Sequence, residues 1–213
     1  MVQSWFDAVL VYRDRRLAAI LAMGFLSGLP LALSGATLWF WLAQEGVSKT
    51  AIGLFALIAA PYTFKFLWAP VFDHITPPGL SAFGRRRGWL ILLQIAMAVT
   101  LLALGASNPV VAPLGTALFA FAVAFVSASQ DIVIDAYRID ILDDEEQGAG
   151  AAATQLGYRI GMLVSGAGAL ALSDNVSWFW VYASMAAVTP FGIFFVMISP
   201  VAKDVLAVAQ TAS

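Results

Sequence analysis

The chain has no cysteine and a single histidine, His74, among 213 residues. The first absence excludes a disulfide framework and a thiolate metal site; the second leaves no histidine cluster for metal binding or proton transfer. Charge is scarce too, at 11% Asp, Glu, Lys and Arg, where a soluble domain carries about 25%. With a net charge of −2 and few basic residues, nothing in the chain marks a nucleic-acid surface. Apolar sequence fills the space: 61% of residues are hydrophobic and mean hydropathy is +0.86. Charge-free runs occupy 17–44, 89–130 and 175–202. Each is long enough for a membrane span of about 20 residues, and the second for two. The composition therefore predicts an all-α membrane protein with neither a thiolate nor a histidine-cluster metal site.

Six spans are expected, at about 17–42, 50–72, 89–106, 113–140, 147–172 and 177–199. Residues 1–16 would form a terminal segment. In it Trp5, Phe6, Val9, Leu10 and Tyr12 fall on one side of a possible interfacial helix. Residues 200–213 form a mildly polar tail. The run after Arg13, Arg15 and Arg16 is too long for a signal-peptide core and is expected to stay as the first span. Ser48 or Thr50 can cap the second span, and Asp143 with Glu146 spells a capping box before the fifth. His74 is expected in a loop. One set of loops holds Arg13, Arg15, Arg16, Arg85, Arg86, Arg87 and Lys203, and the other only Lys49. Cytoplasmic loops concentrate Lys and Arg, so both termini and the arginine loop are expected in the cytoplasm.

Few charges enter the apolar spans, and they reach similar depths. At about 1.5 Å of rise per residue, Lys65 lies about 12 Å from the arginine-rich end, Asp135 about 9 Å, Asp131 about 15 Å and Arg159 about 16 Å. Asp131 and Asp135 share a face of the fourth span, one turn apart, with Gln130 beside them. A buried carboxylate is costly unless paired or hydrated, so an ion-pair network is expected, Arg159 with Asp131 and Lys65 with Asp135. Such pairs could hold the bundle together or line a watery path for substrate or protons, with Gln130 and Tyr158 contacting polar groups. Gly157 and Gly161, four apart, allow a close helix crossing.

Five segments carry a family resemblance. They are Phe25-Leu-Ser-Gly-Leu-Pro-Leu-Ala-Leu33; Tyr62-x-Phe-Lys65-Phe-Leu-Trp68-x-Pro70-x-x-Asp73; Gly84-Arg85-Arg86-Arg87-Gly88-Trp89; Ser127-Ala-Ser-Gln130-Asp131-Ile-Val-x-Asp135-Ala136; and Gly148 to Gly166, with Gly157-Tyr158-Arg159 inside it. Together they resemble the AmpG-type muropeptide permeases of the major facilitator superfamily. The superfamily's loop between spans two and three normally opens Gly-x-x-x-Asp. Here Ala69 replaces the glycine, Asp73 is kept, and Pro77-Pro78 delay the arginines.

The resemblance implies the N-terminal half of that fold, a six-helix bundle of 3+3 inverted repeats. It implies proton-driven import of anhydro-muropeptides across the bacterial inner membrane, powered by the proton gradient with no cofactor. Asp73, Gly84, Arg85, Arg86 and Arg87 would form a gating loop. The superfamily's acetyl-CoA transporters share the Lys65–Asp73 and Gln130–Asp135 patterns and remain an alternative. Because the family has twelve or more spans, six imply a truncated member, one half of a split transporter, or an engineered piece. A second six-helix half is the expected partner, alongside the lipid bilayer and a sugar–peptide substrate; a non-transporting half-domain is the other possibility. Asp131-x-x-x-Asp135 alone resembles part of the CDP-alcohol phosphotransferase signature. The earlier Asp-x-x-Asp-Gly that supplies its metal site is missing before Asp131.

Overall fold

The computed structural model describes residues 14–198. The possible helix around Trp5–Tyr12 and the tail 200–213 lie outside them. Six helices are long and apolar enough to cross a membrane: α1 (Arg15–Gln44), α2 (Lys49–Leu67), α3 (Arg85–Gly105), α4 (Pro113–Ile141), α5 (Asp144–Ser173) and α6 (Trp178–Ile198). No strand occurs among the described residues. The chain is a multi-pass membrane protein built as a helical bundle.

The helix ends follow local chemistry. Asp14 caps α1: its carboxylate accepts the Arg16 backbone N–H at 2.8 Å and the Arg16 guanidinium at 2.8 Å. The guanidinium hydrogen bond holds the Asp14 carboxyl below its ordinary range. Arg16 also reaches Glu146 at 2.7 Å and so ties the start of α1 to the start of α5. The Asp143–Glu146 capping box is formed, with the Asp143 N–H donating to Glu146 at 3.3 Å.

α2 ends earlier than expected. Its winding tightens to 3₁₀ over Ala56–Ala59 and Lys65–Leu67, and a separate short helix, Ala69–His74, follows. Pro61 and Pro70 explain the breaks, since each lacks an amide donor and starts a new helical segment. His74, expected in a loop, is the last residue of that short helix.

α1 is the hub, with 72% of its most apolar stretch buried. It packs most extensively against α5, then against α4 and α6, while α3 packs on α4 and α6. The α1–α5 contact is a backbone contact. A Cβ built on Gly24 or Gly28 would collide with the carbonyl oxygen of Thr154 or Tyr158, and one on Gly157 or Gly161 with that of Leu21 or Phe25.

Toward the far end both helices are irregular. α1 breaks at Gly35, and α5 widens to a π-turn over Val164–Gly168. The Thr37 hydroxyl donates to the Ser165 carbonyl at 3.0 Å across that junction. By contrast only 18% of the apolar stretch of α2 and 22% of that of α5 is buried. Leu57, Phe64, Phe66 and Leu67 stand exposed on α2, and Leu156, Ile160 and Leu163 on α5.

Candidate transport site

The fourth helix presents Ser127, Asp131 and Asp135 at four-residue intervals, which places them in one line along its face. Opposite Asp131 stands Ser27 of α1, whose hydroxyl donates to the Asp131 carboxylate. Ser27 precedes Gly28, the residue whose missing side chain lets α5 approach, so the same crossing brings Thr154 and Tyr158 to this level. α2 contributes Lys65 from its final 3₁₀ turn. That turn is anchored one residue beyond its end: the Trp68 indole donates to the Ser129 hydroxyl at 3.1 Å and packs on Phe125 with ring centroids 4.8 Å apart. The result is a cavity of about 200 Å³ lined by Ser27, Lys65, Asp131, Ile134, Asp135, Thr154, Gln155 and Tyr158.

The expected ion pairs are replaced by a different pattern. Asp131 is held by Ser27, with Lys65 as the cation in electrostatic reach of it. Asp135 is exposed and has its own helix neighbour Arg138 at 4.0 Å. Arg159 is exposed and forms no ion pair with a described residue. It is adjacent to Tyr158 in sequence, so it points about 100° away around α5 and leaves the cavity. Gln130 is fully buried, does not line the cavity, and neither of its amide atoms has a hydrogen-bond partner. The arrangement can hold and release a proton at Asp131 and can engage polar ligand groups through Lys65, Asp135 and Tyr158. Among the described residues no cluster of His, Asp and Glu has metal-binding geometry.

At the arginine-rich end, Gly84 takes a positive φ of 81° and starts α3. Arg86 then ties two elements to α3, the short Ala69–His74 helix and α4. It meets Asp73 at 2.7 Å, Asp140 at the end of α4 at 3.0 Å, and the Phe72 carbonyl at 3.4 Å. Arg85 and Arg87 flank it on the first turn of α3. Sequence reasoning singled out neither Asp140 nor Ser27. Asp140 could have been found by depth, because it lies at the end of the fourth span, level with the arginines.

Comparison with known proteins shows what the chain as a whole is similar to. Residues 16–110 match a family described as acetyl-coenzyme A transporter 1. Over 202 residues the chain is 45% identical to the anhydromuropeptide permease of Escherichia coli K12, covering 94% of this chain and 40% of that protein. Over 164 residues it is 39% identical to a putative transporter AmpG 4 of Rickettsia felis, covering 77% of this chain and 40% of the relative. The chain thus spans about two fifths of the length of the curated relatives it matches. Matched at 45% identity along 94% of its length, the chain belongs to the AmpG-type permease family of major facilitator transporters.

Proposed function

We propose that this chain is the N-terminal six-helix half of a secondary transporter that imports anhydromuropeptides by proton symport across the bacterial inner membrane, both termini being cytoplasmic. The observation that carries the reading is Asp131, a carboxylate mid-way along an apolar helix, facing a small polar cavity with Ser27 and Lys65. Intramembrane ionisable groups mark substrate or ion paths, and transporters of this type bind at the interface of two repeats. The bare faces of α2 and α5 suit a second six-helix half, and the energy source is the proton gradient rather than a cofactor. The acetyl-CoA alternative draws on the family match over 16–110. It sits less well with a cavity whose two carboxylates outnumber its one lysine, because a polyphosphate ligand needs cations.

Uptake in membrane vesicles tests the reading. A radiolabelled anhydromuropeptide should accumulate against its gradient when the chain is completed by a C-terminal permease half and an inward proton gradient is imposed. Collapse of the gradient with a protonophore should stop it. Uptake unaffected by the protonophore, or seen only with acetyl-CoA, would reject the proposal.

Orientation has its own check, and the absence of cysteine makes it clean. Single cysteines at Ser48 and Ser107 should react with an impermeant thiol reagent added outside intact cells, and one at Ser81 only after lysis. External labelling at position 81 would invert the topology.

A further inference from the structure

Beyond the cavity, the polar line continues deeper into the bundle than a substrate site requires. One turn past Asp131, the Ser127 hydroxyl is fully buried and has no hydrogen-bond partner. The Tyr62 hydroxyl of α2, also buried and without a completed hydrogen bond, lies beside Ser127 and beside Ser34 of α1, within electrostatic reach of Asp131. Ser27 and Ser34 are seven residues apart, so they share one face of α1. Measured along the helices from the arginine-rich end, Asp135 lies at about 9 Å, Asp131 at about 15 Å, Ser127 at about 21 Å and Ser34 at about 28 Å. The hydrocarbon core is about 30 Å thick, so these groups form a seam of about 19 Å, roughly two thirds of its thickness. The Ser34 hydroxyl donates to the Pro30 carbonyl at 2.8 Å and keeps its lone pairs free, whereas the stranded Ser127 and Tyr62 hydroxyls are costly and are of the kind normally satisfied by ordered water.

We propose, building on the symport reading, that this seam is a proton path inside the six-helix half, separate from the substrate route between halves. Protons travel past Ser34 and Ser127 to Tyr62, then to Asp131, and leave past Asp135. At Tyr62 the O–H bond breaks toward the Asp131 carboxylate, directly or through one water. A new O–H bond forms on the same oxygen with a proton delivered by water from the Ser34–Ser127 side. The phenol ends neutral, Asp131 gains the proton, and the far-side water supplies it from the gradient. The hydroxyl then rotates back before the next transfer. Ser127 and Ser34 need only orient water.

Two measurements test the path. In the cysteine-free chain, Ser127→Cys should react with a small charged methanethiosulfonate, while Val133→Cys, equally buried but turned away from the seam, should not. Silence at position 127, or equal reaction at both, overturns a hydrated seam. In the completed transporter, Tyr62→Phe keeps the ring and removes the relay. It should lower proton-driven accumulation of a labelled anhydromuropeptide by about a hundredfold, the low end for a positioned proton-transfer group, while gradient-free exchange persists. If exchange is lost equally, Tyr62 is structural and the relay is rejected. If Tyr62→Phe accumulates normally while Asp131→Asn does not, the relay is wrong and symport through Asp131 stands. Normal accumulation in Asp131→Asn removes the symport reading and the path with it.

Discussion

Alanine at Gly157 should destabilise the bundle by about 1–3 kcal/mol, the usual range for forcing extra atoms into closed packing. The added methyl has nowhere to go. It would overlap the Leu21 carbonyl oxygen and crowd the Phe25 amide, both backbone atoms that no rotamer change can move. Gly24, Gly28 and Gly161 face the same problem from either side, so α1 and α5 would have to separate along several turns. Separation also carries Tyr158 and Thr154 away from Ser27 and opens the cavity around Asp131. The matched control is Gly148→Ala near the start of α5, where a Cβ meets nothing within 4 Å. There the gain in helix preference, about 0.5–1 kcal/mol, should leave the protein unchanged or slightly more stable. Unfolding in mixed micelles with increasing SDS would measure both. Equal stability of the two variants would mean that the crossing is looser than described.

Asp131→Asn should abolish concentrative uptake in the completed transporter and leave exchange down a gradient. Asparagine keeps the size of the side chain and can still accept the Ser27 hydrogen bond, so the bundle should fold. What disappears is the carboxylate that faces both the Ser27 hydroxyl and Lys65 and can take up and give back a proton there. The measurement is the steady-state ratio of internal to external label under an inward proton gradient, with membrane level as the folding control. A ratio equal to that of the wild type would make the carboxylate structural. Arg159→Ala is expected to behave differently. Because Arg159 is exposed and has no ion pair with a described residue, its loss strands no buried carboxylate. Stability should stay within about 0.5 kcal/mol, as for most surface changes. Any transport defect would then point to a contact made outside this half.

The bundle was legible in the sequence because charge is so rare that each uncharged run announces a helix. The end of α2 was harder to read: apolar residues continue through Phe72, and only Pro61 and Pro70 hint that the hydrogen-bond ladder is interrupted. The site divides the same way. Depth arithmetic brought Lys65, Asp131 and Asp135 to similar levels, and one cavity holds all three together with Tyr158. It also placed Arg159 and Gln130 there, because rise per residue fixes height along a helix and says nothing of direction around it. Arg159 turns outward and Gln130 inward. Ser27 escaped notice because a serine is unremarkable by composition. Its meaning comes from the neighbouring Gly28, which brings two backbones together at the depth of Asp131.

The uncovered flanks of α2 and α5 bear on how such a protein is assembled. In water, Leu57, Phe66, Leu67 and Leu163 would demand immediate burial. In a bilayer, acyl chains solvate them as well as leucine would, so no hydrophobic force drives this half to find another. Docking of the proposed second half would then draw on shape fit and on the few polar groups that lipid cannot satisfy, such as Arg159 and Gln155 on α5. A joint of that kind holds two bodies together while letting them rock against each other, which a glued apolar seam would resist.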